Sequence, residues 1–142
     1  MQAKANFFSD NPDIKFHLMK RLDFDALFAG MTQSEKDASS VASPEDLRNM
    51  SLTVLETLGE IAGGVIAPNA AQVEKEDLRL IDGEVPLPPA LTENLKALLE
   101  FGVAALGMSP EYGGIGTPFF LEACANELIM RACPSTRARA RV

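Results

Sequence analysis

The sequence has no tryptophan, one tyrosine, one histidine and two cysteines. Any relay from a histidine base to a nucleophile would have to pass through His17, and its neighbours Phe16 and Leu18 indicate packing at a helix surface instead. The two cysteines and the single histidine have none of the close pairings that fix a tetrahedral metal site. We therefore expect no catalytic residue and no metal ligand in this chain.

Long apolar runs are also missing from the sequence. The longest unbroken ones are a few residues long, whereas crossing a bilayer takes about 20 residues. No basic start precedes an apolar stretch in the manner of a signal peptide. These absences predict that the protein has no membrane partner and is cytoplasmic.

Basic residues are scarce over most of the chain, whose net charge is -7. Residues 1–130 carry 9 basic and 20 acidic side chains, whereas residues 131–142 carry 4 arginines and no acid. An acidic body repels nucleic acid at long range, so nucleic acid is not an expected partner. The acid-rich run at residues 74–77 is expected to be a solvated helix face, because consecutive charges point around a helix axis.

Helical spacing dominates the middle of the chain. Ser43 is a predicted N-cap before Pro44, with two acids in the first turn, and apolar residues recur at helical spacing over residues 47–65. Gly63 and Gly64 weaken the end of this helix, and Pro68 predicts a kink. Residues 32–43 are polar and rich in serine, which indicates an exposed connection.

The second half of the chain predicts two more helices. Residues 78–89 suggest an extended excursion with a tight turn at Asp82-Gly83. A helix is then expected from Pro88-Pro89 to about Gly102, and another from an N-cap at Thr117, with Pro118 in its first turn, to about residue 131. The predicted fold class is all-α, a bundle of about five helices.

A glycine-rich stretch, Pro-Glu-Tyr-Gly-Gly-Ile-Gly, occupies residues 110–116. A dinucleotide-binding loop should follow a strand, and a P-loop should end in lysine and a hydroxyl residue, whereas Thr117 and Pro118 follow here. The residues themselves therefore predict a turn that lets two helices approach, with glycines supplying backbone angles that other residues avoid.

The glycine-rich stretch in its context resembles the end of the N-terminal domain of acyl-CoA dehydrogenases, and the resemblance spans about residues 6–135. A segment before the prolines resembles the longer members of that family, which process bulky or unusual acyl thioesters. The motifs that carry the resemblance are Gly-Met-Ser-Pro-Glu-Tyr-Gly-Gly-Ile-Gly-Thr-Pro at 107–118, Asn126-Glu127-Leu128, Cys133-Pro134-Ser135, and Asp82-Gly83-Glu84-Val85 ahead of Pro88-Pro89.

The resemblance implies a chemistry that this chain does not complete. The family removes an α-proton from an acyl-CoA with a glutamate and transfers the β-hydride to FAD. Its glutamate and most of its flavin contacts belong to central and C-terminal domains that this sequence does not contain, and the complete enzymes are expected to be homo-oligomers. The N-terminal domain supplies one wall of the acyl pocket, and the matching positions here are Cys133, Pro134 and Ser135.

Three regions are expected along the chain: an N-terminal extension with short helices over residues 1–43, the helical domain over residues 44–135, and a tail over residues 136–142. Three arginines alternate with small residues in this tail, so we expect it to be non-native or disordered, with a natural basic tail as the alternative. The leading hypothesis is an acyl-CoA dehydrogenase fragment that is inactive and binds no FAD alone. A stand-alone helical interaction module without catalysis is the other.

Overall fold

The computed structural model describes residues 5–76 and 79–140, and this part of the chain is all-α, as predicted. One isolated β-bridge is present in this part of the chain, and no β-strand. More helical segments form than the five expected, because several short ones flank the long helices. The α-helices are α1 Pro12–Phe16, α2 Phe24–Gly30, α3 Gln33–Ser39, α4 Pro44–Ile61, α5 Ala67–Lys75, α6 Pro89–Phe101, α7 Phe119–Ala132 and α8 Pro134–Arg139.

The longest element is a continuous helix made of α4, a π-helical segment Ala62–Ile66, and α5. Its start confirms the predicted cap, because the Ser43 hydroxyl accepts a hydrogen bond from the Asp46 amide at 3.1 Å. The helix does not end at the glycine pair. Pro68 lacks an amide hydrogen, and a π-helical segment just upstream accommodates that lost hydrogen bond without breaking the helix.

This continuous helix, Pro44–Lys75, is long and apolar enough by length and composition to cross a membrane, which the sequence analysis did not expect. The expectation rested on the length of unbroken apolar runs, which scattered polar residues keep short. The mean hydropathy of a whole helix can stay high despite those polar residues. The core helix of a soluble protein meets the same criterion. Here Leu55, Leu58 and Ile66 are fully buried, and α2, α6 and α7 pack around the helix.

One hydrophobic core serves the whole described chain. Residues of the predicted extension, such as Phe8 and Leu18, are buried in the same cluster as Leu55 and Leu128. The ring of Phe24 on α2 meets Phe120 on α7 edge to face, with centroids 5.7 Å apart. Residues 5–43 are therefore packed onto the helical domain, since their apolar side chains complete its core.

The polar segment predicted as an exposed connection contains a helix, α3, which corrects that expectation. Thr32 caps it, and its hydroxyl accepts from the Glu35 amide while the Glu35 carboxylate accepts from the Thr32 amide at 2.7 Å. This reciprocal capping box supplies partners for amides that a helix start otherwise leaves unpaired. The helix has no buried residue, which is why hydrophobic periodicity did not predict it.

The excursion before α6 has the predicted tight turn, apart from residues 77–78, which lie outside the described part of the chain. Ile81 and Glu84 exchange backbone hydrogen bonds of 2.8 and 2.9 Å across Asp82 and Gly83. Both turn residues have positive φ, as a two-residue hairpin turn requires. Helix α6 then begins at Pro89 and ends at Phe101, close to the predicted bounds.

The predicted disorder of residues 136–142 is wrong for residues 136–139, which belong to α8. Thr136 is fully buried, and its hydroxyl accepts a 2.9 Å hydrogen bond from the side-chain amide of Asn94 on α6. The Asn94 amide oxygen in turn accepts from Asn69 on α5, also at 2.9 Å. This buried polar chain ties α8 to two other helices, because a buried amide and hydroxyl need such partners.

Candidate functional site

An open cleft of about 600 Å³ lies between the segment before the glycine turn, helix α7 and helix α8. Its apolar wall includes Leu106, Phe119 and Ile129. Helix α7 contributes residues 119, 122, 126 and 129, whose spacing puts them on one helix face. The polar side chains at the cleft are those of Glu122, Asn126 and Arg137.

The glycine-rich stretch forms the turn between α6 and α7, as predicted. Its backbone folds back on residues 105–110: the amide of Ile115 donates to the Ala105 carbonyl at 2.7 Å, and that of Gly116 donates to the Met108 carbonyl at 2.9 Å. Gly116 has φ +65° and packs against Pro110, so a side chain there would be strained. The amides of residues 112–116 all donate to carbonyls of residues 105–110, so they are not left to bind phosphate.

The end of this turn positions the face of α7 that lines the cleft. Thr117 was predicted to cap α7, but its hydroxyl donates to the Leu106 carbonyl at 2.8 Å, and α7 begins at Phe119. The carboxylate of Glu122 lies against Gly107, where any side chain would clash with it. Only the carboxylate end of the flexible Glu122 side chain is that close, and it can rotate away, so this contact does not fix the approach of the turn to α7.

The three residues predicted to line an acyl pocket lie at the α7–α8 junction, outside the residues that line the cleft. Cys133 is fully buried between the two helices, and Pro134 is the first residue of α8. The Ser135 hydroxyl donates a 2.6 Å hydrogen bond to the Glu74 carboxylate on α5. Their role in a pocket stays a prediction, and the nearest cleft residue along the chain is Arg137.

Sequence patterns do not single out the cleft residues, because these residues look like ordinary positions of an amphipathic helix. The signal that could have found them is the spacing of Phe119, Glu122, Asn126 and Ile129, which combines two large apolar and two polar side chains on one helix face. A surface helix covered only by solvent would rarely place a phenylalanine, 76% exposed here, on such a face.

Two ionisable groups outside the cleft have shifted pKa values. Partial burial, together with the nearby Glu127 carboxylate, raises the pKa of the Cys124 thiol on α7. The backbone and side-chain hydrogen bonds from Thr32 lower the pKa of Glu35. A thiol with a raised pKa is a weaker nucleophile at neutral pH, so Cys124 has no sign of catalytic activation.

The described residues do not fit a metal or a flavin. No group of three or more His, Cys, Asp or Glu side chains among them is arranged to hold a metal ion. The amides of the glycine turn donate to carbonyls of residues 105–110, and the cleft lining includes one cation, Arg137, and one carboxylate, that of Glu122. His17 lies exposed on the surface with its ring against Phe16, at a centroid distance of 5.6 Å, as expected from its neighbours.

Comparison with known families agrees with this helical architecture and glycine turn. The model of the family described as acyl-CoA dehydrogenase, N-terminal domain, matches residues 51–142, well over half of the chain. The chain therefore belongs to the acyl-CoA dehydrogenase family, of which it contains the N-terminal domain. The match runs through α8, which agrees with the packing of that helix on the domain.

Among curated proteins, the chain is similar to the 3-methylmercaptopropionyl-CoA dehydrogenase of Ruegeria pomeroyi. The two are 32% identical over 78 residues, which are 55% of this chain and 13% of the relative. The chain thus matches only about an eighth of the length of that enzyme. No solved structure matches the chain.

Proposed function

We propose that the chain serves as the N-terminal helical domain of a FAD-dependent dehydrogenase that acts on an acyl-CoA thioester, and that the cleft beside α7 forms one wall of the acyl pocket. The observation that carries the proposal is this cleft of about 600 Å³, found in a chain of the acyl-CoA dehydrogenase family. The cleft is a concave surface lined by both apolar and polar groups, and small-molecule sites combine the two kinds of group in this way.

The lining suits the acyl part of such a substrate. Phe119, which is exposed, and Val103 and Met108, which are half-buried, would contact an alkyl chain, because burying apolar surface is the main favourable term for that part of the ligand. Asn126 and Arg137 can donate hydrogen bonds to a polar atom within the acyl group. The relative from Ruegeria pomeroyi is named for a thioether acyl-CoA, so a short acyl group with a heteroatom is the class we propose.

The chain would contribute positioning and no chemistry of its own. The α-proton would be taken by a glutamate, and the hydride by FAD, in central and C-terminal domains that act as its partners, in a homo-oligomer. The poor fit of the described residues to a flavin supports this division. The three residues Cys133, Pro134 and Ser135 at the rim of α8 and a cytoplasmic location remain predictions.

A domain replacement tests the proposal. Residues 1–142 replace the N-terminal domain of the Ruegeria pomeroyi enzyme, and a second version of that enzyme lacks the domain altogether. We expect the hybrid to retain flavin and measurable turnover of 3-methylmercaptopropionyl-CoA, and the version without the domain to lose turnover. A hybrid that is folded yet no more active than the domain-less enzyme would favour an interaction module without catalysis.

A further inference from the structure

Residues 5–10 form an N-terminal strap that crosses the long helix at two glycines, one helical turn apart. A side chain on Gly59 would clash with the Asn6 amide and the Phe8 backbone, and one on Gly63 would clash with the Ala5 carbonyl. Both glycines are in the interior of a helix, where alanine is the better helix former. Their lack of a side chain is therefore what lets the strap backbone lie directly on the helix.

The strap is held mainly through one acidic side chain of α4. The side-chain amide of Asn6 donates to the backbone carbonyl of Glu56 at 3.2 Å and to the Glu56 carboxylate at 3.0 Å. The Ser9 hydroxyl donates to the same carboxylate at 2.6 Å. Hydrogen bonds to a charged acceptor are stronger than those between neutral groups, so Glu56 is the main polar contact of the strap.

A backbone hydrogen bond also joins the strap to the helix where the helix becomes π-helical. The Phe7 amide donates to the Gly59 carbonyl at 3.1 Å, and that carbonyl also accepts from the Ala62 amide three residues on. The widened helix thus presents a carbonyl to a segment outside it, and such local π-helical distortions often occur at binding sites.

The strap is compact by itself and has one apolar anchor. The Asn6 side-chain oxygen accepts from the Phe8 and Ser9 backbone amides, both at 2.9 Å. The Asp10 carboxylate accepts from the backbone amide of Asn6. Phe8, 4% exposed, is the strap residue that enters the core. The helical face that receives it lies within residues 51–142, which match the family model, whereas the strap lies before them.

We propose that Glu56, Gly59 and Gly63 form a peptide-docking site on the family domain and that the strap is its resident, separable ligand. The site fits a peptide with the order Asn-Phe-Phe-Ser folded into a turn, in which the asparagine and serine reach Glu56 and the second phenylalanine enters the core. Released from the helix, the strap leaves a folded bundle that a peptide of the same sequence can occupy.

Limited chymotrypsin digestion of the full chain tests how the strap is held, because the protease cuts after Phe7 and Phe8. Gly63→Ala should speed cleavage at these bonds by about tenfold, because its methyl group would clash with the Ala5 carbonyl, while cleavage elsewhere stays unchanged. Gly30→Ala is the matched control, since Gly30 is also helical and has open space around it. Equal cleavage at Phe7 and Phe8 in the two variants would overturn the proposal.

Glu56→Ala gives an independent measurement should Gly63→Ala loosen the whole chain, because it removes the acceptor without creating a clash. Faster cleavage confined to Phe7 and Phe8 supports the docking site. A strap that stays as protected as in the parent chain overturns it.

Peptide binding tests whether the strap can be separated from the long helix. A chain lacking residues 1–10 is titrated with a fluorescent peptide of residues 1–11, and we expect saturable binding that weakens by about tenfold for the Asn6→Ala peptide. The full chain should bind the peptide poorly, because its own strap occupies the site. Loss of helix in the shortened chain, or no binding to a shortened chain that stays folded, would overturn the proposal.

Discussion

Glu35 shows how one side chain supports a helix that buries no residue. Its carboxylate accepts from both the amide and the hydroxyl of Thr32 at the start of α3, and these bonds stabilise the charged form. Its aliphatic part also contacts Gly116, so the cap of α3 touches the glycine turn. The pKa of Glu35 is lowered accordingly, mainly by the backbone hydrogen bond.

This lowered pKa predicts a pH dependence of stability. A carboxyl whose pKa is lower in the folded state stabilises the protein above its unfolded-state pKa, and that stability is lost as pH falls through the folded-state pKa. Glu35→Gln should therefore reduce the free energy of unfolding slightly at neutral pH and have no effect in acid below both pKa values. Urea denaturation of both proteins across pH measures the difference.

Glu45→Gln serves as the control for Glu35→Gln, since Glu45 is also a glutamate in the first turn of a helix, α4, and its side chain is exposed. The explanation for Glu35 fails if the destabilisation by Glu35→Gln is the same at both ends of the pH range.

At the scale of elements, apolar periodicity predicted the helices that bury a face, and missed those held by polar contacts. Helices α4, α6 and α7 have buried leucines at helical spacing, and their bounds were close to those observed. Helix α3 carries a capping-box sequence, Thr32 to Glu35, that could have predicted it. The burial of Thr136 could not be predicted, because its partner Asn94 is 42 residues away in sequence.

The same limit applies to the candidate site. The turn at residues 110–116 was predictable, since glycine and proline specify it locally. The cleft beside α7 depends on where that turn and α8 lie relative to one helix face, which is tertiary packing. Thr117 illustrates the difference. Its sequence context favours a helix cap, yet its hydroxyl donates a hydrogen bond to the Leu106 carbonyl in the folded chain.

The buried contact between α6 and α8 predicts a measurable loss of stability. Asn94→Ala removes the donor to the buried Thr136 hydroxyl and one of the two acceptors of the Asn69 side-chain amide, and it should lower the free energy of unfolding by about 1–3 kcal/mol. Deleting residues 136–142 should also destabilise the protein, because it removes the buried Thr136 and part of α8. Urea denaturation followed by circular dichroism measures both changes.

Asn49→Ala is the matched control for Asn94→Ala, since Asn49 is an exposed asparagine in the interior of α4. Its effect should stay within about 0.5 kcal/mol. Equal stabilities of the Asn94→Ala and Asn49→Ala variants would show that α8 is not held by this contact.

At the scale of the whole molecule, the chain is a packed helical domain with an open cleft and several exposed apolar side chains. Phe119, Leu99 and Met130 are each more than half exposed. Positions of this kind are suited to contact with another domain, and the chain matches only a small part of its curated relative. The proposed division of labour assigns the acyl wall to this domain and the redox chemistry to its partners.

That division predicts the behaviour of the purified chain. It should show no stoichiometric flavin absorbance after incubation with FAD and desalting, and no turnover of an acyl-CoA with an artificial electron acceptor, because the proposed division places the hydride acceptor and the base in other domains. The hybrid enzyme, assayed under the same conditions, is the positive control. Stoichiometric flavin in the isolated chain would show that residues of this domain hold the cofactor.

The central claim, that the cleft beside α7 contacts the acyl group, is tested most directly by acyl selectivity in the hybrid enzyme. Phe119 lines the cleft and is 76% exposed, whereas Tyr112 is 77% exposed on the glycine turn and does not line it. We expect Phe119→Ala to change the ratio of kcat/KM between two acyl-CoA thioesters that differ by one methylene by about tenfold, and Tyr112→Ala to leave it unchanged. An unchanged ratio in the Phe119→Ala hybrid, or the same change in both variants, would contradict the claim.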